Sequence, residues 1–216
     1  MGANISGIGS ENLVIDGVNM LHPTDIKVIP DRIETGTFLI AGALLGKITV
    51  KDIETDHLDT VLGKLKDVGC KIYIEESSIT LEPPDKIKPV DMTTAVYPGF
   101  PTDLQAQWVA LMSLADGSST IKDTVYHDRF SHIPELARLG ANIQVNHNTA
   151  FVRGVDSLVG APVMSTDIRA SASLIIAGLA ASGVTEVSRV YHIDRGYERI
   201  EEKFSHLGAN ISREHD

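Results

Sequence analysis

The sequence has little of what would commit it to a narrow class. Its 216 residues hold one cysteine, Cys70, so no internal disulfide can form and the chain suits a reducing compartment. Lysine and arginine number 19 against 29 acidic residues, a net charge of −10. That balance argues against broad binding to nucleic acid or to an anionic membrane, both of which need basic surface. It leaves open a small anion held by a few arginines. The longest small-apolar run, Ala170 to Val184, has 15 residues and three of them are serine. A membrane span needs about 20 apolar residues, so this run reads as a helix buried on most sides. The first residues do not read as a basic-then-apolar leader. The eight histidines form no HxH, HExxH or His/Cys cluster, so neither a structural nor a catalytic metal is expected. A GxxxxGK[ST] loop and a G-x-S-x-G elbow are also missing.

What is present is a repeat. "GANIS" opens the chain at Gly2 and returns at Gly208. The same frame recurs at Gly69-Cys70-Lys71-Ile72 and Gly140-Ala141-Asn142-Ile143, so the glycines are spaced by 67, 71 and 68 residues. A near-constant period of this kind marks an architectural repeat. Each unit opens with a small-residue apolar stretch: "DRIETGTFLIAGALLG", "PTDLQAQWVALMSLADG" and "TDIRASASLIIAGLAASG". These predict buried helices stopped by Gly46, Gly117 and Gly183. A short β-rich run follows, then an amphipathic helix, with Leu58, Val61, Leu62, Leu65 and Val68 as the stripe in the first unit and Tyr197, Ile200 and Leu207 in the third. The glycine phrase then turns each helix into a hairpin. The fold class is therefore α/β, with three α-β-α-β-β units from Asp31 to Asp216. Residues 1–29 read as a remnant hairpin of an upstream domain plus a crossover at "HPTDIKVIP", and residues 30–216 as the main domain. Cys70 fills a slot that holds alanine in the other copies, so it reads as inert core rather than as a reactive thiol.

Several charged residues ask for more than packing. Asp31, Asp103 and Asp167 stand at the starts of the buried helices. Asp31 and Asp167 read as caps. In "FPTDLQ", Thr102 with Gln105 makes a capping box, which leaves Asp103 free to act as a functional carboxylate. Arg169 falls in the first turn of its helix, and Arg129 and Arg195 lie in "YHDRF" and "YHIDRGY", at the starts of the second helices. Helix N-termini disfavour cations, so three arginines at such places suggest a shared anion. Local pairing with Asp128, Asp167 and Asp194 is the plainer alternative, but recurrence at three similar places of a repeat favours an anion-binding face.

"PDRIETGTF", "FPTDLQAQ", "DIRASASL" and "YHIDRGYERIEEK" resemble the C-terminal half of the UDP-N-acetylglucosamine enolpyruvyl transferases (1-carboxyvinyltransferases), and the resemblance covers essentially the whole chain. It implies an inside-out α/β barrel facing a second domain across a cleft. It implies transfer of the enolpyruvyl group of phosphoenolpyruvate to the 3′-hydroxyl of UDP-N-acetylglucosamine, by addition then elimination, with no metal and no cofactor. That is the first committed step of peptidoglycan precursor synthesis in the cytoplasm, and so of cell-wall biogenesis, cell shape and division. The resemblance places a sugar-hydroxyl carboxylate on Asp103 and a backbone contact to the nucleotide sugar on Val125. It gives the carboxylate and phosphate of phosphoenolpyruvate to Arg169 and Arg195, and a less defined cleft role to Arg129. The family's acid-bearing cysteine loop lies in the other domain, and Cys70 does not match it. The chain alone is therefore expected to be inactive, as half of a site. A noncatalytic binding or regulatory module that keeps the fold is the rival reading.

Overall fold

The computed structural model describes residues 1–214. The opening glycine phrase forms a hairpin in which β1 (Asn4–Ser6) pairs antiparallel with β2 (Val14–Asp16), Ile5 opposite Ile15. Every residue from 1 to 29 is exposed, and none contributes to the core.

The first unit follows the predicted order: α1 (Arg32–Leu45), β3 (Ile48–Lys51), α2 (Asp59–Val68), β4 (Lys71–Glu75) and β5 (Ser78–Glu82). Asp31 caps α1, its carboxylate accepting from the amides of Ile33 and Glu34 at 2.7 and 3.4 Å. β5 lies between β3 and β4, antiparallel to both, and turns Ile79 and Leu81 inward. In the second unit β6 (Met92–Thr93) precedes a 3₁₀ turn (Thr102–Leu104), α3 (Gln105–Met112), β7 (Ser118–Lys122), α4 (Ile133–Arg138), β8 (Asn142–Asn146) and β9 (Thr149–Arg153). β9 sits between β7 and β8, as β5 does between β3 and β4, and β6 adds a parallel strand beside β7.

The third unit departs from the expected pattern. It runs β10 (Pro162–Met164), α5 (Ile168–Ala180), β11 (Glu186–Ser188), a 3₁₀ turn (Val190–Arg195) and α6 (Ile200–His206), with no strand among the described residues after α6. In the other two units the outer strand is reached only through an intervening antiparallel one. Nothing among the described residues supplies that strand beside β11, so "ANISR" stays irregular and the sheet is the parallel pair β10–β11 alone. Asp216 lies outside the described residues. Two smaller expectations also change. Gly46 caps α1, but α3 and α5 end earlier, with Ser113 and Ala181 as their caps. Leu207 is exposed because α6 stops at His206, and Phe204 takes its place in the core.

The three small-residue helices pack against one another in the centre, and the sheets lie outside them. All eight residues of α3 are buried. Each outer helix leans on the next unit: Lys64 of α2 donates to the Asp91 carbonyl, and Arg138 of α4 to that of Pro162. Phe204 of α6 returns to α1, its ring 4.8 Å from that of Phe38. The units thus close into a ring around the helices. Cys70 is buried, and burial pushes its thiol up to about 11. No helix among the described residues is long and apolar enough to cross a membrane.

Candidate functional site

The N-terminal ends of the three central helices meet. Gly36 in α1 lies directly against the Leu104 side chain, so the 3₁₀ turn that carries Asp103 sits on the first turns of α1. Asp103 is held between two arginines. Its Oδ1 accepts from Arg129 Nη1 at 2.5 Å and its Oδ2 from Arg169 Nη2 at 3.0 Å. The Asp103 side chain is 34% exposed and that of Arg169 only 14%. Burial pushes the Asp103 carboxyl up, but Arg169 and Arg129 together draw it below the usual carboxylate range.

Arg169 is fixed from behind. Asp167 caps α5 through the amides of Arg169 and Ala170, at 2.7 and 3.0 Å, and those bonds hold its carboxyl low despite burial. The Arg169 guanidinium lies 5.8 Å from the Tyr197 ring centre and donates to its hydroxyl at 3.4 Å. Burial lowers the proton affinity of Arg169, but Tyr197 and Asp103 raise it further, leaving it above the usual value. The Tyr197 hydroxyl is bonded to Thr37 of α1 at 2.8 Å and accepts from Gln107 of α3 at 3.3 Å. One buried hydroxyl thus joins all three central helices.

The plainer pairing of each arginine with its neighbouring aspartate is not what forms. Arg129 and Arg169 both reach Asp103, and Asp194 takes Arg213 at 2.7 and 3.0 Å. Arg195 is exposed, and among the described residues its guanidinium makes no ion pair. It stands beside the cluster in the chain, since a Cβ on Gly196 would lie 4.0 Å from Arg169 Nη1. Val125 is also exposed, and its amide donates to Asp123 at 3.0 Å. The capping box does not form. Thr102 lies inside the 3₁₀ turn and donates to Asp123 at 2.6 Å, while Gln105 is wholly buried with neither amide atom bonded.

Asp123 is the residue that sequence reading missed. It is fully buried, and its carboxylate accepts from Thr94, Thr102 and the amides of Val125 and Tyr126, at 2.6, 2.6, 3.0 and 2.9 Å. It therefore sets the loop that carries both Val125 and Arg129. In "KDTVYHDRF" it reads only as a polar loop residue; in the folded chain it continues the inward face of β7 after Ser119 and Ile121, and only Ile121 of these is apolar, so the sequence shows no alternation. Among the described residues no group of three or more His, Cys, Asp or Glu is placed to hold a metal ion.

A two-arginine, one-carboxylate cluster at converging helix starts suits an anionic ligand that also presents a hydroxyl. Comparison with known proteins places the chain in a family. The family profile described as EPSP synthase (3-phosphoshikimate 1-carboxyvinyltransferase) matches residues 1–204. A UDP-N-acetylglucosamine 1-carboxyvinyltransferase of Prosthecochloris aestuarii is 56% identical over 215 residues, 99% of this chain and 51% of that protein. One from Myxococcus xanthus is 52% identical with the same coverage. The crystal structure of the enolpyruvyl transferase NikO from Streptomyces tendae superposes with a TM-score of 0.86 at 32% identity, over 98% of this chain and 51% of that one. An EPSP synthase from Acinetobacter baumannii shares the fold, with a TM-score of 0.72 at 16% identity over 98% of this chain and 53% of that one. The chain spans about half the length of the curated relatives it matches.

Proposed function

The chain belongs to the EPSP synthase family of enolpyruvyl transferases, and from that premise we propose that it is the C-terminal part of an enzyme that transfers the enolpyruvyl group of phosphoenolpyruvate to the 3′-hydroxyl of UDP-N-acetylglucosamine. The observation that carries this reading is Asp103 held between Arg129 and Arg169. A carboxylate within reach of a hydroxyl can take its proton as a general base. A substrate with a carboxylate and a phosphate needs arginine forks, here Arg169 with Arg195 beside it. In the addition step the sugar oxygen loses its proton to Asp103 and bonds to the central carbon of phosphoenolpyruvate, while the methylene carbon gains a proton from an acid. Elimination removes a proton from the resulting methyl group and expels phosphate, restoring the double bond. The arginines stabilise the charge that gathers on the phosphate as it leaves. The Val125 backbone bonds the nucleotide sugar, and Arg129 holds Asp103.

The acid for the methylene carbon belongs to an N-terminal domain that would close over this face, and the exposed residues 1–29 would be its last hairpin and the crossover. The work is done in the cytoplasm, at the first committed step of peptidoglycan precursor synthesis. The deciding experiment is phosphate release from phosphoenolpyruvate plus UDP-N-acetylglucosamine. It is run on this chain and on the chain joined to a relative's N-terminal half. We expect none from the first and UDP-N-acetylglucosamine-dependent release from the second. Robust turnover by the chain alone would overturn the half-site reading, and a joined enzyme that ignores the sugar nucleotide would overturn the substrate.

A further inference from the structure

Asp123 has no direct line to a ligand, being fully buried, yet four donors converge on it from three parts of the chain. Thr94 comes from just after β6, Thr102 from the turn before α3, and Val125 and Tyr126 from the loop after β7. The bond from Thr102 has a consequence for direction. A carboxylate can only accept, so the Thr102 hydroxyl must spend its single proton on Asp123 Oδ2, at 2.6 Å. Its lone pairs are then left for a donor, and Arg129 Nη1 supplies one at 3.3 Å. The same nitrogen donates to Asp103 Oδ1 at 2.5 Å. The bonds therefore run one way, from Arg129 into Thr102 and from Thr102 into Asp123. Arg129 is also lodged 5.4 Å from the Tyr126 ring centre, and the Tyr126 amide is itself bonded to Asp123.

We infer that Asp123 and Thr102 are positioning residues: the buried carboxylate orients the Thr102 hydroxyl, which with Tyr126 fixes the Arg129 guanidinium against Asp103. Asp123 touches no substrate. It acts on the proposed base through two intermediates, and so this inference rests on the reading of Asp103 as the proton acceptor. Its place in the reaction follows from where Arg129 ends up. A guanidinium pinned on one oxygen of Asp103 keeps the carboxylate ionised and turned toward the cleft while Arg169 serves the other oxygen. A loose Arg129 would leave Asp103 with one fixed partner instead of two.

The test is the titration of Asp103 itself, which needs no activity and stays informative whatever reaction the enzyme carries out. The carboxyl ¹³C signal of Asp103 is followed against pH in the 216-residue chain and assigned with Asp103→Asn. Thr102→Val removes the hydroxyl at nearly constant shape; Thr102→Ser keeps it. Arg129→Gln gives the value of Asp103 with that partner gone. We expect Thr102→Val to raise the Asp103 pKa toward the Arg129→Gln value, by about half a unit to one unit, and Thr102→Ser to restore it. Asp123→Asn, whose amide donates to Thr102 and turns its hydroxyl around, moves Asp103 in the same direction. If Asp123→Asn fails to fold, the two Thr102 variants carry the test, with a native-like spectrum as the control. An Asp103 pKa unchanged in folded Thr102→Val overturns the proposal, as does an equal rise in Thr102→Ser, which would assign the effect to the methyl group. Failure of the enolpyruvyl-transfer reading would appear instead in the phosphate-release assay and leave this titration untouched.

Discussion

The hydroxyls of Tyr197 and Thr37 stand 2.8 Å apart although 160 residues separate them in the chain. Gln107 donates to both, at 3.3 and 3.0 Å. Tyr197→Phe removes the hydroxyl and leaves Thr37, Gln107 and Arg169 to find other partners in a buried space. The expected cost is about 1–3 kcal/mol of stability, measured by denaturant unfolding with an unchanged slope. A loss under about 0.5 kcal/mol would mean that the three helices are held by apolar packing alone.

His132 is 1% exposed, its Nε2 has no partner, and burial holds its imidazole down at about 4 in spite of Asp167 nearby. An unfolded histidine titrates near 6.5, so on acidification the unfolded chain takes up the proton first. Stability should therefore fall as pH drops from about 6.5 toward 4, by about 2 kcal/mol between pH 7 and pH 5. Unfolding of wild type and His132→Phe at both pH values isolates this share. Equal pH slopes for the two proteins would contradict it.

Gly36 is glycine because Leu104 occupies the space a Cβ would need, and Leu104 is fully buried. In an exposed helix Gly→Ala gains about 0.5–1 kcal/mol. Here Gly36→Ala must displace Leu104, the residue after Asp103, and overpacking costs about 1–3 kcal/mol. The net sign should be a lowered Tm, together with shifted NMR signals around Asp103 and Arg169. A raised Tm would show that the turn yields.

In the joined enzyme the two ends of the cluster should separate kinetically. Asp103→Ala should lower kcat by about 10²–10⁴ with little change in the KM for phosphoenolpyruvate, as for a lost general base. Arg195→Ala should raise that KM, because its partner is the anionic substrate. Wild-type turnover from Asp103→Ala would remove Asp103 from the chemistry.

The repeat made the fold legible. Period, small-residue helix and glycine phrase located α1, α3 and α5 and both complete hairpins, because these depend on local pattern. The third unit misled because its phrase at Gly208 copies the others, whereas a strand also needs a neighbour, and none lies there among the described residues. Asp103 and Arg169 could be singled out as residues that packing leaves over, but their pairing with each other could not, since adjacent aspartates offered nearer partners. Asp123 was out of reach because its side-chain partners are distant in the chain. Its threonines come from 29 and 21 residues upstream, and only the folded chain brings them in. Thr-x-x-Gln is a local signal that points to Thr102 as a cap, whereas in the folded chain the buried Asp123 carboxylate takes its hydroxyl.

The third sheet's two parallel strands leave the outer edge of β11 without a strand among the described residues, while β7 is flanked on both sides. Backbone groups with a partner on one side only are released by small local fluctuations. The molecule should therefore loosen unevenly. Amide hydrogens of β11 should exchange with solvent soon after dilution into D₂O, well ahead of those in β7 and α3. The ring of three units would come apart first at its third member, next to the helix that carries Arg169.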